Sequence, residues 1–273
     1  MTVPARPAAS TPSAANPELV VVRADRAVRA GTYPYDATDV TTSWHHHELH
    51  QVEYAIEGSA QVETATARYL LPPQRAVWIP AGLAHRTTLK RVRTVSLFLD
   101  PAMVPGRGDR ARVLSVTGLC REMLAYGARW PIDRPSSDAI SDSYFRTLAL
   151  LVTQWLDDEV PLHLPTSTDP IVAAAMSYTD AHLHATLREV CAAVAVSERT
   201  LRRRFADGPG ITWRTYRLHS RLLSAMSLLT QPRSTVFGVA AKVGFDSASA
   251  FTRSFTAYTG ESPSSYRSRI LTR

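Results

Sequence analysis

The hydrophobic pattern changes period along the chain. From about Leu19 to Asp100, apolar residues come in short or alternating runs broken by turn residues. Val52-Glu53-Tyr54-Ala55-Ile56 precedes Glu57-Gly58, Tyr69-Leu70-Leu71 precedes Pro72-Pro73, and Ala76-Val77-Trp78-Ile79 precedes Pro80. Runs of that kind predict an all-β sandwich or barrel over 18–108. After Gly108 the spacing turns helical over 109–130 and 138–158. There Ile140, Tyr144, Leu148, Leu151, Val152 and Trp155 fall on one stripe. These helices are expected to pack on the barrel. Residues 1–17, with prolines among Ala, Ser and Thr, predict a disordered leader with nothing to bury. Pro161, Pro165 and Pro170 mark 159–170 as a linker. Everything over 171–273 reads as helices. The fold class is α+β and multidomain: a β-barrel with packing helices, then an all-α domain.

Composition narrows the class. The chain has 273 residues, 45% of them hydrophobic and 20% charged, which suits a globular protein of about two domains. No apolar run reaches the roughly 18 residues of a membrane span. The first residues lack the basic segment and apolar core of a secretory signal. Two cysteines, Cys120 and Cys191, give neither a disulfide framework nor a cysteine zinc site, and a cytoplasmic location is expected. The net charge of +7 is unevenly placed. Residues 170–273 hold 14 Lys and Arg against 6 Asp and Glu, a net of +8, which leaves −1 for the rest. That asymmetry points to nucleic acid or another anionic surface as partner of the C-terminal part.

The basic half contains a near-repeat. One unit runs from Leu187 to Phe205 and the other from Phe237 to Phe255. With Ala195 placed on Gly244, small residues coincide four positions earlier (Cys191, Ala240). Apolar residues coincide one later (Val196, Phe245), followed in each unit by a helix-capping serine (Ser197, Ser247). Leu201/Phe205 and Phe251/Phe255 are matching i, i+4 pairs. This is the pattern of a helix-turn-helix, present twice. Thr186-x-x-Glu189 adds a capping box to the first unit. On its second helix Arg199, Arg202 and Arg203 lie opposite the apolar pair. In the second unit Ser249 and Arg253 form an i, i+4 pair, flanked by Thr252. Arginine forks match guanine edges and also grip phosphates, so these six residues are the candidate DNA contacts. The bland reading of the same arginines is a solvated helix face.

The stretch from Val243 to Phe255, followed by Thr259-Gly-Glu-Ser-Pro-Ser-Ser-Tyr-Arg267, resembles the signature of the AraC/XylS family of bacterial transcription regulators nearly position by position. The first unit departs from it twice. Ala195 stands where glycine is usual, and Asp207-Gly-Pro-Gly210 carries an extra Gly-Pro, which shortens the expected recognition helix. The resemblance implies a double-stranded DNA promoter as partner, with two recognition helices in successive major grooves. It implies a long joining helix, for which Ile211 to Leu229 is the candidate, and RNA polymerase as a further partner. It also implies a homodimer interface in 109–158, although core packing explains the same apolar stripe.

The N-terminal half has its own constellation, Trp44-His-His-His-Glu-Leu-His-Gln51 and Pro80-Ala-Gly-Leu-Ala-His85. On a strand His45 and His47 point the same way. The spacings resemble the two cupin motifs, with Gln51 in place of glutamate, and Gln74 and Leu89 in place of Gly and Asn. The resemblance implies a small jelly roll in which His45, His47, Gln51 and His85 converge. Three imidazoles suit a divalent Zn, Ni, Fe or Mn, and an amide is a weaker hard-metal ligand than carboxylate. Three readings stay open: a polar lining that binds a small-molecule effector, a divalent metal site, or cupin catalysis. His46 and His50 are expected outward or near the strand's end. Trp44, Trp78 and Tyr54 are expected in the barrel core. No catalytic residues stand out. The favoured function is a DNA-binding regulator that responds to an effector in the barrel. The alternatives are a cupin enzyme fused to a DNA-binding domain, and a constitutive DNA-binding protein whose barrel only dimerises.

Overall fold

The computed structural model describes residues 13–71, 75–160, 162–231 and 233–271. Most of the expected leader, residues 1–12, lies outside them, as does Gln74.

Among the described residues, ten strands and nine α-helices follow in order. The strands are β1 (Glu18–Leu19), β2 (Ala30–Thr41), β3 (His45–His46), β4 (His50–Thr64), β5 (Ala67–Leu71), β6 (Arg75–Ile79), β7 (His85–Leu99), β8 (Arg112–Ser115), β9 (Glu159–Val160) and β10 (Leu164–Pro165). The helices are α1 (Gly118–Gly127), α2 (Ala139–Asp157), α3 (Pro170–Ala181), α4 (Leu187–Ala193), α5 (Glu198–Asp207), α6 (Trp213–Leu229), α7 (Val236–Lys242), α8 (Ala248–Thr259) and α9 (Pro263–Leu271). The N-terminal part is a curled β domain and the C-terminal part is all helix.

The long strand β7 organises the β domain. It pairs antiparallel with β2 from Ala30↔Leu99 to Thr41↔Thr88. It also pairs antiparallel with β4 from His50↔Leu99 to Thr64↔His85. β4 in turn pairs with β5 and β6, and β6 with β8. Side chains alternate across these ladders, so β4 sends Val52 and Tyr54 to one side and Gln51 and Glu53 to the other. Both sides are buried. Val52, Tyr54, Ala76 and Trp78 pack with Phe145, Leu148 and Val152 of α2 and Leu124 of α1. Trp78 and Tyr54 therefore lie under the helices outside the sheet, not in the barrel interior. Trp44 is half-buried, with the Arg86 guanidinium over its ring.

Two helical expectations are corrected. The span 109–130 begins with β8, which extends the sheet beside β6, and its helix starts only at Gly118. The buried face of α2 is Ser141, Phe145, Leu148, Ala149, Val152 and Leu156. Ile140, placed on the apolar stripe, is 70% exposed. Asp138 caps α2 through a reciprocal box with Ser141.

The span expected as a linker is ordered against the sheet. β9 pairs with β8, and β10 pairs with β5 through Leu164↔Arg68 and Pro165↔Ala67. Thr166 continues the contact by donating to the backbone oxygens of Thr66 and Ala65. Leu162, Leu164 and Val172 then carry the core of the β domain without a break into that of the helices. At the junction Asp180 of α3 is a hub. It accepts from Arg68 of β5, from the Tyr216 hydroxyl at 2.9 Å and from Ser220 at 2.6 Å.

Candidate functional site

In the helical half, each short helix ends in a turn that sets the helix after it. Thr186 and Glu189 form the expected capping box of α4. The helix closes as Val196 N–H donates to Cys191 O (3.1 Å) and Ala195 N–H to Ala192 O (3.3 Å). In α7 the corresponding bonds run from Phe245 to Ala240 (2.9 Å) and from Gly244 to Ala241 (3.0 Å). Both are Schellman closures, which need a left-handed residue at the first position past the helix. Ala195 supplies it at φ 53° and Gly244 at φ 86°. Ser197 and Ser247 then cap α5 and α8.

The second helix of each unit buries one face and exposes the other. Leu201, Phe205, Phe251 and Phe255 are fully buried. Arg199, Arg202, Arg203, Ser249 and Arg253 are exposed and Thr252 is half-buried. Arg202 donates to Glu198 one turn back at 2.9 Å, so a carboxylate accompanies it on the exposed face. Arg204, on the same helix, instead pairs with Asp169 at the N-cap of α3. The extra Gly-Pro leaves α5 with 10 residues against the 12 of α8. The joining helix α6 starts at Trp213, two residues later than expected.

In the β domain the histidines meet. Pro80-Ala-Gly82 turns with Gly82 at φ 78°. Gly82 N–H donates to His47 O at 2.8 Å, and His45 pairs with His85 across strands. The turn thus returns His85 to the other two. Ring centroids lie 4.3 Å apart for His45 and His85, 5.1 Å for His47 and His85, and 6.2 Å for His45 and His47. One nitrogen of each lies within 4.8 Å of one nitrogen of the others.

The outward nitrogens are committed. His45 Nδ1 faces Ser43 O (2.9 Å), His47 Nδ1 faces Leu49 O (2.7 Å) and His85 Nδ1 faces Leu83 O (2.9 Å). A carbonyl only accepts, so each Nδ1 carries the proton, and a neutral ring leaves Nε2 as a bare lone pair. Burial, then the nearby His45 and His47, pushes the His85 pKa down to about 3. Burial lowers that of His47. His85 Nε2 is buried without a partner.

Gln51 and a residue the sequence reading missed complete the group. The Gln51 amide nitrogen donates to Glu53 Oε2 at 2.9 Å and to Ser96 Oγ at 3.1 Å, which aims its carbonyl oxygen at His47 Nε2, 2.9 Å away. Two lone pairs facing at that distance suit a shared cation. The reversed amide, donating to His47, suits a site without one. Glu53 is buried, and burial raises its pKa against hydrogen bonds from Ser96 and Gln51. Its alternation with Gln51 on one strand was the available signal.

His46 and His50 are not simply outward. His46 is half-buried. His50 accepts from Ala81 N–H at 2.9 Å and lies on Trp78 with centroids 4.5 Å apart. Burial lowers its pKa to about 4.

A cavity of about 470 Å³ adjoins the histidines. His45, Gln51, Glu53 and Ser96 give it a polar end, and Tyr35, Leu89, Phe98 and Ile132 give it apolar walls.

These two halves match two known families of domain. Residues 190–269 match the family model described as a helix-turn-helix domain, and residues 30–98 match that of an AraC-like ligand binding domain. The chain is a DNA-binding transcription regulator with an N-terminal ligand-binding domain, and it belongs to the AraC family. It is 28% identical over 254 residues to the HTH-type transcriptional regulator NimR of Escherichia coli K12, covering 90% of this chain and 87% of that one. It is 27% identical over 137 residues to the HTH-type transcriptional activator RhaR of the same strain, covering 49% of this chain and 48% of that one. Among solved structures, ToxT from Vibrio cholerae O395 matches over 90% of this chain and 98% of that one, with 11% identity and a TM-score of 0.39. Among the described residues no helix is long and apolar enough to cross a membrane.

Proposed function

We propose that the protein is a cytoplasmic, non-enzymatic switch at a promoter. The helices α5 and α8 enter successive major grooves of one DNA face, and an effector in the β-domain cavity shifts the balance between two arrangements of the DNA-binding half. Arg199, Arg202, Arg203, Ser249, Thr252 and Arg253 make the contacts to bases and phosphates. The observation that carries this reading is the matched pair of helices, each with an apolar face fully buried and a polar face left open. A homodimer and contact with RNA polymerase are the further partners of the reading.

In the β domain we favour a divalent ion at His45, His47 and His85, with the Gln51 carbonyl beside them. The fit rests on three protonated Nδ1 atoms, the bare buried Nε2 of His85, and the Gln51 oxygen aimed at His47. Outer hydrogen bonds of that kind orient imidazole ligands. When bound, the ion supplies a fixed positive charge and a Lewis-acid position at one end of the cavity.

Footprinting of the protein's own upstream region tests the DNA reading. Protection of two major-groove segments about 10 bp apart per chain is expected. A single protected groove overturns it. His47→Ala is expected to abolish response to the effector while the protein still binds its operator. An unchanged response overturns the placement of the effector.

A further inference from the structure

We propose that the effector is a small organic anion, an apolar body bearing one oxygen donor, which binds as a ligand of the ion held by His45, His47, His85 and Gln51. This rests on the metal reading above and adds the chemistry of the ligand.

The argument is one of charge and access. An imidazole must be neutral to ligate, and the Gln51 amide carries no charge. A divalent ion on those four donors keeps its full 2+ within a buried site, where an uncompensated charge is costly. The usual glutamate at position 51 would remove half of it. Here Glu53 does not reach the ion's side of Gln51. Its Oε2 bonds to the Gln51 amide nitrogen and to Ser96. An incoming anion is then the group that balances the site.

Access fits the same account. His47 and His85 are 2% and 0% exposed and do not line the cavity, whereas His45 and Gln51 do. The open side of the ion is therefore the cavity side. No Lys or Arg lines the cavity among the described residues, and Glu53 and Asp133 do. Without the ion the cavity offers an acid no cation, and with it the acid has one place to go. Tyr35, Leu89, Phe98 and Ile132 then receive the apolar body.

Cobalt(II) is the probe, because its visible bands report its ligands. The full-length protein is loaded with Co(II) and titrated with cyclohexanecarboxylate, with its neutral isostere cyclohexanecarboxamide, and with acetate. The carboxylate is expected to shift the cobalt bands and to bind about 10-fold or more tightly than either of the others. Removing the ion with a chelator is expected to abolish its binding. Gln51→Glu is the decisive variant. It should hold cobalt more tightly and bind the carboxylate about 10-fold more weakly, because its own charge fills the role. Failure of the wild type to bind cobalt ends the metal reading and this inference with it. Cobalt bound with bands that ignore the carboxylate ends this inference alone. So does carboxylate and carboxamide binding of equal strength, or a Gln51→Glu variant with undiminished carboxylate affinity.

Discussion

Ala195 and Gly244 stand at the same point of two successive turns, both left-handed, and only one of them has the residue that conformation favours. At φ 53° the Ala195 methyl crowds the following carbonyl, which costs roughly 1–2 kcal/mol. Gly244 has no such strain, but it has no room either. A Cβ there would lie 2.6 Å from Arg221 Nη2, and Arg221 is held by Leu183 O at 2.7 Å.

The two turns should therefore answer oppositely to mutation. Ala195→Gly is expected to stabilise the DNA-binding half by a few tenths to about 1 kcal/mol, the relief of strain exceeding the extra freedom of the unfolded chain. Gly244→Ala is expected to destabilise it by about 2 kcal/mol or more, from the left-handed backbone and the displaced guanidinium. Urea unfolding curves read both, and a stabilised Gly244→Ala would contradict the geometry.

On α5, Arg203→Ala is expected to cost about 1–3 kcal/mol of operator affinity and to relax one base position if the guanidinium reads a base. A phosphate contact would weaken all sequences alike and lower the salt slope by about 1. Arg202 starts from a bond to Glu198. Glu198→Gln should accordingly tighten binding modestly, through one fewer negative charge facing phosphate. Fluorescence anisotropy at several salt concentrations separates these outcomes.

Acid should unfold the β domain early when no metal is present. His85 and His50 have folded pKa values near about 3 and about 4, below the 6.5 of the unfolded chain. The unfolded state binds more protons between those values, so the stability is whole above about 6.5 and is lost as pH falls below it. His85 alone would remove about 2.7 kcal/mol by pH 4.5, two units below 6.5 at 1.36 kcal/mol per unit. Thermal unfolding in chelator from pH 7.5 to 4.5 should show a falling Tm. The fall should flatten in His85→Gln, and an equal slope in the variant would contradict the assignment.

The junction makes a fourth test. Asp180→Ala leaves the Arg68 guanidinium with the Tyr216 hydroxyl oxygen at 3.0 Å but no counter-charge, and leaves the Tyr216 and Ser220 hydroxyls without their acceptor. Breaking a partly buried charge hub of this kind costs about 3 kcal/mol. Faster hydrogen exchange in α3 and in the β10–β5 pair is expected, and unchanged protection in both would show that the hub does not hold the halves together.

The tandem units were legible because everything that makes them is local. A small residue, a left-handed turn, a capping serine and an i, i+4 apolar pair all lie within about twenty residues. The histidines were legible for a related reason: Gly82 marks the turn that brings His85 back. The rest depended on contacts distant in sequence. Residues Arg75–Ile79 are buried throughout, so no polar alternation could tell which face of the strand Trp78 takes. Glu53 shares its strand face with Gln51, but the Ser96 hydroxyl that holds it comes from β7, more than forty residues away. Pro161 and Pro165 read as a tether, yet an edge position tolerates proline, and β10 uses it.

That short edge strand limits how the two halves can move. Only four residues separate Pro165, fixed to Ala67, from Pro170 at the start of α3. Even drawn straight, that arm reaches at most about 17 Å. The DNA-reading half is thus mounted on the wall of the sensor like a door on its frame, not strung from it like a bead. Any signal from the cavity has to turn the door about β5. Residues inserted between Pro165 and Pro170 would lengthen the hinge and uncouple the signal, while leaving both halves folded.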